Sequence, residues 1–76
     1  MLYPANFDGD NPEGGYVVTF PDFPEAVTQG ENLGEAMEMA RESLRMAFAC
    51  RIEHAESVPP PSKRKGKNML LVALST

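Results

Sequence analysis

The sequence has one cysteine, one histidine and no tryptophan among its 76 residues. A single cysteine excludes an intrachain disulfide framework and any zinc site made of several thiolates. A single histidine excludes a His-rich metal centre. No apolar run nears the roughly 18 residues that a membrane span requires. The opening Met-Leu-Tyr-Pro-Ala-Asn has no basic residue leading into an apolar stretch. Neither a membrane partner nor a secretory leader is expected, and the cytoplasm is the expected compartment. No P-loop, Gly-x-Gly-x-x-Gly or nucleophile elbow is present. At this length only one small domain fits, with a thin core to which self-association would add burial.

Basic residues are scarce where acids are dense. All eleven acids lie between Asp8 and Glu56, against only Arg41, Arg45 and Arg51, a net of −8 for that segment. The last twenty residues hold four bases and no acid. An acidic body with a basic tail suits a cationic partner better than a phosphate backbone. The basic run Lys63–Lys67 has no interleaved aromatic to stack on bases, so direct nucleic-acid binding is not expected.

Gly and Pro divide the chain. Leu2–Phe7 reads as a first strand, with Pro4 marking an edge or irregularity. Asp8–Gly15 is a turn-rich loop. Tyr16–Phe20 is β-branched and aromatic and forms a hairpin with the first strand. Pro21-Asp-Phe-Pro24 breaks the chain, and Ala26–Gln29 reads as a short third strand of an antiparallel meander.

A long helix follows, to about Glu53. Asn32 is its expected N-cap, with Glu35 reaching back as in a capping box. Leu33, Ala36, Met37, Ala40, Leu44, Ala47 and Phe48 make one apolar stripe. Met39, Met46 and Cys50, with Ser43, make a second that either widens the core face or meets a partner. Val58–Ser62 is a stiff polyproline exit. Met69–Leu74 is continuously apolar, as for a strand buried on both faces or covered by another chain. The expected fold is α+β, β-β-β-α-β, with strand order 3-2-1-4. Its fourth strand is expected parallel to the first through a right-handed crossover, and its helix lies on one face. The other sheet face then lacks cover.

The strand segments so bounded contain no carboxylate, which argues against a sheet-mounted metal site for hydrolysis. Asp8, Asp10 and Glu13 do not match a calcium loop, because Pro12 and Glu13 occupy the positions that require an oxygen ligand and Gly. Cys50 and His54 stand one helical turn apart, and no third group completes a nucleophilic site. No catalytic residue, metal or cofactor is expected, and the chain is not expected to be an enzyme.

Three pieces carry a resemblance: Tyr3-Pro4; the block from Glu13-Gly-Gly-Tyr through Pro21-Asp-Phe-Pro24 and Thr28-Gln-Gly30 to Glu35-Ala36; and Val58-Pro-Pro-Pro-Ser62. Together they resemble the HicB antitoxin family across nearly the whole chain. The resemblance implies a partial RNase H-like fold without nuclease activity. It also implies a type II antitoxin that binds and occludes a small basic RNA-cleaving toxin of the HicA type, with self-association common. Residues 1–76 would be the toxin-binding domain. The chain stops at Thr76, so the C-terminal DNA-binding domain of many members is not expected in it. The alternative is an orphan oligomerisation module with no toxin.

The expected toxin-binding residues are Pro21, Asp22, Phe23, Pro24 and Glu25 in the irregular turn and Glu35, Glu38 and Glu42 on the helix. Met39, Met46, Met69, Leu71 and Ala73 are the expected surface of a homo-oligomer.

Overall fold

The computed structural model describes residues 1–63 and 65–74. Its elements are β1 (Leu2–Asp8), β2 (Tyr16–Phe20), β3 (Phe23–Gly30), α1 (Leu33–Glu53) and β4 (Met69–Ala73). The four strands form one sheet in the order β3-β2-β1-β4, with α1 packed across one face, chiefly against β3.

The loop between β1 and β2 closes on Gly14 and Gly15, at φ +82° and +78°. That left-handed pair is accessible to Gly at little cost. A Cβ at Gly15 would also stand 2.8 Å from the Gly30 carbonyl oxygen, so the loop and the end of β3 meet there. β2 and β3 pair antiparallel from Tyr16↔Gly30 to Thr19↔Val27, and the register then shifts so that Phe20 faces Phe23. The strand therefore begins at Phe23, earlier than the breaker residues imply. Pro24 is tolerated because β3 is an edge strand.

Asn32 caps α1: its side chain accepts from the Glu35 amide at 2.8 Å. The Glu35 carboxylate reaches back to the amide of Glu31, one residue before the cap. Ala36, Ala40, Leu44 and Ala47 are the buried stripe, whereas Leu33 is exposed and Met37 and Phe48 lie at the border. Small residues at three of the four buried positions let the helix approach the sheet closely, where it meets Tyr3, Ala5, Phe7, Val18, Phe20, Phe23, Ala26 and Val72. The helix ends in a Schellman arrangement: Glu56 N–H donates to the Arg51 carbonyl and Ala55 N–H to that of Ile52. Ala55 holds the left-handed position, at φ 54°, that Gly usually fills.

The fourth strand corrects one expectation. β4 runs antiparallel to β1, with Leu2↔Ala73, Pro4↔Leu71 and Asn6↔Met69 in register. The helix alone would deliver the chain to the start of β1 and make β4 parallel. A strap after the helix makes a second crossing instead. Near the start of β1, the Tyr3 hydroxyl donates to the Pro59 carbonyl at 2.8 Å. Near its end, the Phe7 amide donates to the Asn68 carbonyl at 2.9 Å. The strap has travelled the length of β1 before β4 begins, so β4 must return. β4 is also not buried on both faces, because Val72 is its one buried residue.

Candidate partner-binding site

The turn between β2 and β3 sits against the end of α1 and the start of the strap. Phe23 is fully buried and meets Tyr3 edge to face, with ring centroids 5.1 Å apart. The Arg51 guanidinium stacks on Phe23 at 4.7 Å and donates to both Glu25 carboxylate oxygens, at 2.7 and 2.8 Å. A third donor of Arg51 reaches the Ser57 carbonyl. The Asp22 carboxylate accepts from the Ser62 amide at 2.9 Å. These contacts clasp the strap onto the turn.

The clasp shifts two titrations. The hydrogen bond from Arg51 holds the Glu25 carboxyl below the usual carboxylate range, against the opposing effect of partial burial. Burial raises the Tyr3 phenol above its usual value; the Asp22 carboxylate adds to this and Arg51 opposes it.

The expected binding residues therefore divide. Phe23 packs in the core, while Asp22 and Glu25 are engaged within the fold. Pro21 and Pro24 are exposed at the turn. Glu35 serves the helix cap and lies roughly 24 Å along the helix axis from Arg51, given a 1.5 Å rise per residue. The turn and the first helical turn are thus at opposite ends of the domain. Between them on the helix surface are Glu38, which is exposed, and Glu42, which pairs with Arg45. That hydrogen bond lowers the Glu42 carboxyl and raises Arg45. Beside Glu35 an open groove is bordered by Glu13, Tyr16, Glu31 and Met39. Its acids come from two segments, Glu13 in the loop before β2 and Glu31 with Glu35 at the start of α1, and local sequence patterns do not bring the two segments together.

Met39 and Met46 are exposed, as is Cys50, so the second helical stripe does not widen the core. Met69, Leu71 and Ala73 project from the sheet face away from the helix, because they pair with Asn6, Pro4 and Leu2 while the intervening Tyr3 and Ala5 enter the core. Leu2, Val27 and Leu71 are the large apolar residues most open on that face, at 50%, 58% and 59% exposure. The strap borders part of it: Ser62, Lys63, Lys65 and Gly66 share a groove with Pro4, Met69 and Leu71. Lys63, Lys65 and Lys67 are exposed, and Arg64 of the basic run lies outside the described residues.

Sequence reasoning missed Arg51, the centre of the clasp. Its partner Glu25 is 26 residues away, and the one local signal, a cation in the last helical turn, has an ordinary explanation in the helix dipole. The observed strand limits also place Asp8 at the end of β1 and Glu25 within β3, so the strands are not free of carboxylates. Among the described residues, no three His, Cys, Asp or Glu side chains are grouped to hold a metal ion. No described helix is long and apolar enough to cross a membrane. Cys50 Sγ and His54 Nδ1 stand 3.6 Å apart, and the same ring nitrogen is 2.8 Å from the Cys50 carbonyl oxygen.

Fold and surface define a class: a β-β-β-α-β domain whose helix displays carboxylates across an antiparallel sheet. The chain belongs to the HicB-like antitoxin family of bacterial toxin–antitoxin systems, whose model matches residues 2–76. It is 50% identical over 62 residues to Antitoxin HicB of Escherichia coli K12, covering 82% of this chain and 44% of that protein. It is 48% identical over 61 residues to Antitoxin HicB 1 of Photorhabdus laumondii, covering 80% and 39%. The chain thus spans less than half the length of these relatives. Among solved structures, a chain of a toxin–antitoxin complex from Streptococcus pneumoniae matches with TM-score 0.74 and 41% identity, over 83% of this chain and 45% of that one. The N-terminal domain of Burkholderia pseudomallei antitoxin HicB matches over 100% of both chains, with TM-score 0.80 and 24% identity, and shares the fold.

Proposed function

We propose that residues 1–76 are a toxin-binding domain that holds a small basic RNA-cleaving toxin of the HicA type and occludes its active site, acting in the cytoplasm without catalysis of its own. The observation that carries this reading is the 41% identity to a chain from a toxin–antitoxin complex. The charge distribution supports it, since an acidic surface speeds encounter with a basic partner and orients it. Within the acidic face, Glu38 carries the steering more than its neighbours do. Glu42 is offset by Arg45, and Glu35 is turned into the helix cap. Pro21 and Pro24 supply a rigid exposed rim at the turn, with Asp22, Phe23 and Glu25 holding it in shape.

The test is RNA cleavage by a purified HicA-type toxin encoded beside this chain, with and without the chain added. Stoichiometric suppression is expected. Undiminished cleavage with both proteins folded would refute the assignment. It would favour an orphan oligomerisation module, a reading that the exposed Leu2, Val27 and Leu71 also support.

A further inference from the structure

The two borders of the buried helical stripe are unlike. On one, Met37 and Phe48 are half-buried, Met37 against the core cluster. On the other, Met39 and Met46 stand 44% and 61% exposed, Cys50 is exposed and Ser43 is half-buried. These four follow one another at steps of four, three and four residues. That is the spacing of a seam between two packed helices, which repeats every 3.5 residues. The seam is roughly 16 Å long, at a 1.5 Å rise per residue. The fold leaves it uncovered, because the core closes over Ala36, Ala40, Leu44 and Ala47.

Its composition indicates what covers it. Met39 and Met46 alternate with the smaller Ser43 and Cys50, so the surface is ridged, with hollows that admit large side chains of a facing helix. The methionine thioethers are flexible and polarisable and adapt to a partner's shape. Glu35, Glu42 and Glu53 line the solvent-side flank, each three or four residues from a seam member and so adjoining it. No base occupies that flank of α1. Arg41 and Arg45 lie further round, with Arg45 reaching across to Glu42. An exposed pair of that kind exchanges partners at little cost. At its N-terminal end the seam runs into the groove where Met39 lies with Glu13 and Glu31.

We infer that, given the toxin-binding reading above, this seam receives an amphipathic helix of the toxin whose apolar stripe is bordered by lysine or arginine. That helix lies beside α1, with large apolar side chains seated at Ser43 and Cys50 and cations against Glu35, Glu42 and Glu53. Met39 and Met46, expected at an oligomer surface, face the toxin rather than a second copy. Glu38, further round, steers encounter, whereas the seam sets how slowly the complex dissociates.

Cys50, the chain's one thiol, reports on the seam directly. Iodoacetamide labelling of the wild-type chain, read by mass spectrometry, should slow at least about tenfold with saturating toxin, since packing denies the reagent access. Raising the concentration of the chain alone should give no protection. Met46→Lys sets a cation against the basic helix and should weaken toxin binding at least about tenfold. Ile52→Lys makes the same charge change at a like exposure, 59% against 61%. Ile52 is two residues from Cys50 and so on the opposite side of α1. That variant should bind within about threefold of wild type. Both should keep the wild-type circular dichroism, because both side chains are exposed. A wild-type chain that binds no toxin would overturn the toxin-binding reading and the seam with it. Toxin binding with Cys50 labelled at its free rate, or equal binding by the two lysine variants, would overturn the seam alone. Protection by the chain itself, without toxin, would give the seam to self-association and overturn it as a toxin contact.

Discussion

Replacing Gly30 with alanine should be severely destabilising, for a steric reason. Gly30 ends β3 directly beneath the first turn of α1. A Cβ there would stand 2.4 Å from the Ala36 nitrogen, 2.6 Å from its Cα and 2.9 Å from the Glu35 carbonyl carbon. Non-bonded carbons rest at about 3.5 Å or more, so helix and strand would have to part by about 1 Å. No flexible side chain can yield, because every one of those atoms is backbone. A gap of that size forfeits about a quarter to a half of the dispersion energy along the contact. Ala36 and Ala40, both fully buried, lie on the helical stripe that would move. Overpacking costs about 1–3 kcal/mol where neighbours can adjust, and a rigid wall puts Gly30→Ala at about 3 kcal/mol. For a domain of this size that lowers Tm by about 12–24 °C. Gly34→Ala is the control. Its Cβ would find only the Asn32 side-chain oxygen, at 3.4 Å, and better helix propensity should add about 0.5 kcal/mol. Urea unfolding followed by circular dichroism reads both. A Gly30→Ala stability within about 0.5 kcal/mol of wild type would refute the close-approach reasoning, since surface-like substitutions fall in that range.

Ala55→Gly should stabilise the chain by about 1 kcal/mol by relieving the left-handed residue at the helix end, as urea midpoints would show. Arg51→Ala should cost about 2 kcal/mol, because it removes the stacking on Phe23 and the bond to Ser57 along with the ion pair; Glu25→Ala should cost under about 1 kcal/mol, because that pair is half-exposed and screened. With its folded pKa lowered, Glu25 contributes fully above the ordinary carboxylate range, and the contribution is lost as pH falls through the folded value. A pH series of Tm should therefore be flatter on the acid side in Glu25→Gln. Tyr3→Phe should lose about 1 kcal/mol at neutral pH with its bond to Pro59. The raised Tyr3 pKa makes its ionisation-linked contribution complete below about pH 10 and lost as pH rises through the folded value; the alkaline fall in Tm should be smaller in Tyr3→Phe. Glu38→Lys should slow toxin association at low salt more than Glu42→Lys does, as stopped-flow mixing would show, with dissociation rates little changed.

Local chemistry made much of the fold legible. β2 matched its sequence limits because it is a β-branched run between glycines and a proline. The helix and its cap were readable from Asn32, Glu35 and the spacing of Ala36, Ala40, Leu44 and Ala47. The start of β3 was obscured because Pro21 and Pro24 look like breakers, whereas an edge strand with shifted register accommodates them. The direction of β4 was not legible from the crossover rule, which concerns a single helical crossing. The cue lies in residues 54–68, a proline-rich stretch long enough to recross the sheet. Of the candidate site, the charge was evident and its engagement was not. That Glu35 caps, Glu42 pairs and Glu25 clasps Arg51 depends on geometry that residue type alone does not fix.

The strap also sets an order of assembly. β1 is an inner strand of the sheet, yet it comes first in the chain and its outer neighbour comes last. Closing Asn6 onto Met69 spans 63 residues, whereas the hairpin from Asp8 to Val17 spans 9. The longer closure adds about 2 kcal/mol of chain entropy to the search. The meander and its helix can form while the C-terminal segment is still being synthesised, and β4 is added when the rest is in place. Until then the outward edge of β1, with Tyr3 and Ala5 on it, is the vulnerable surface of the nascent chain.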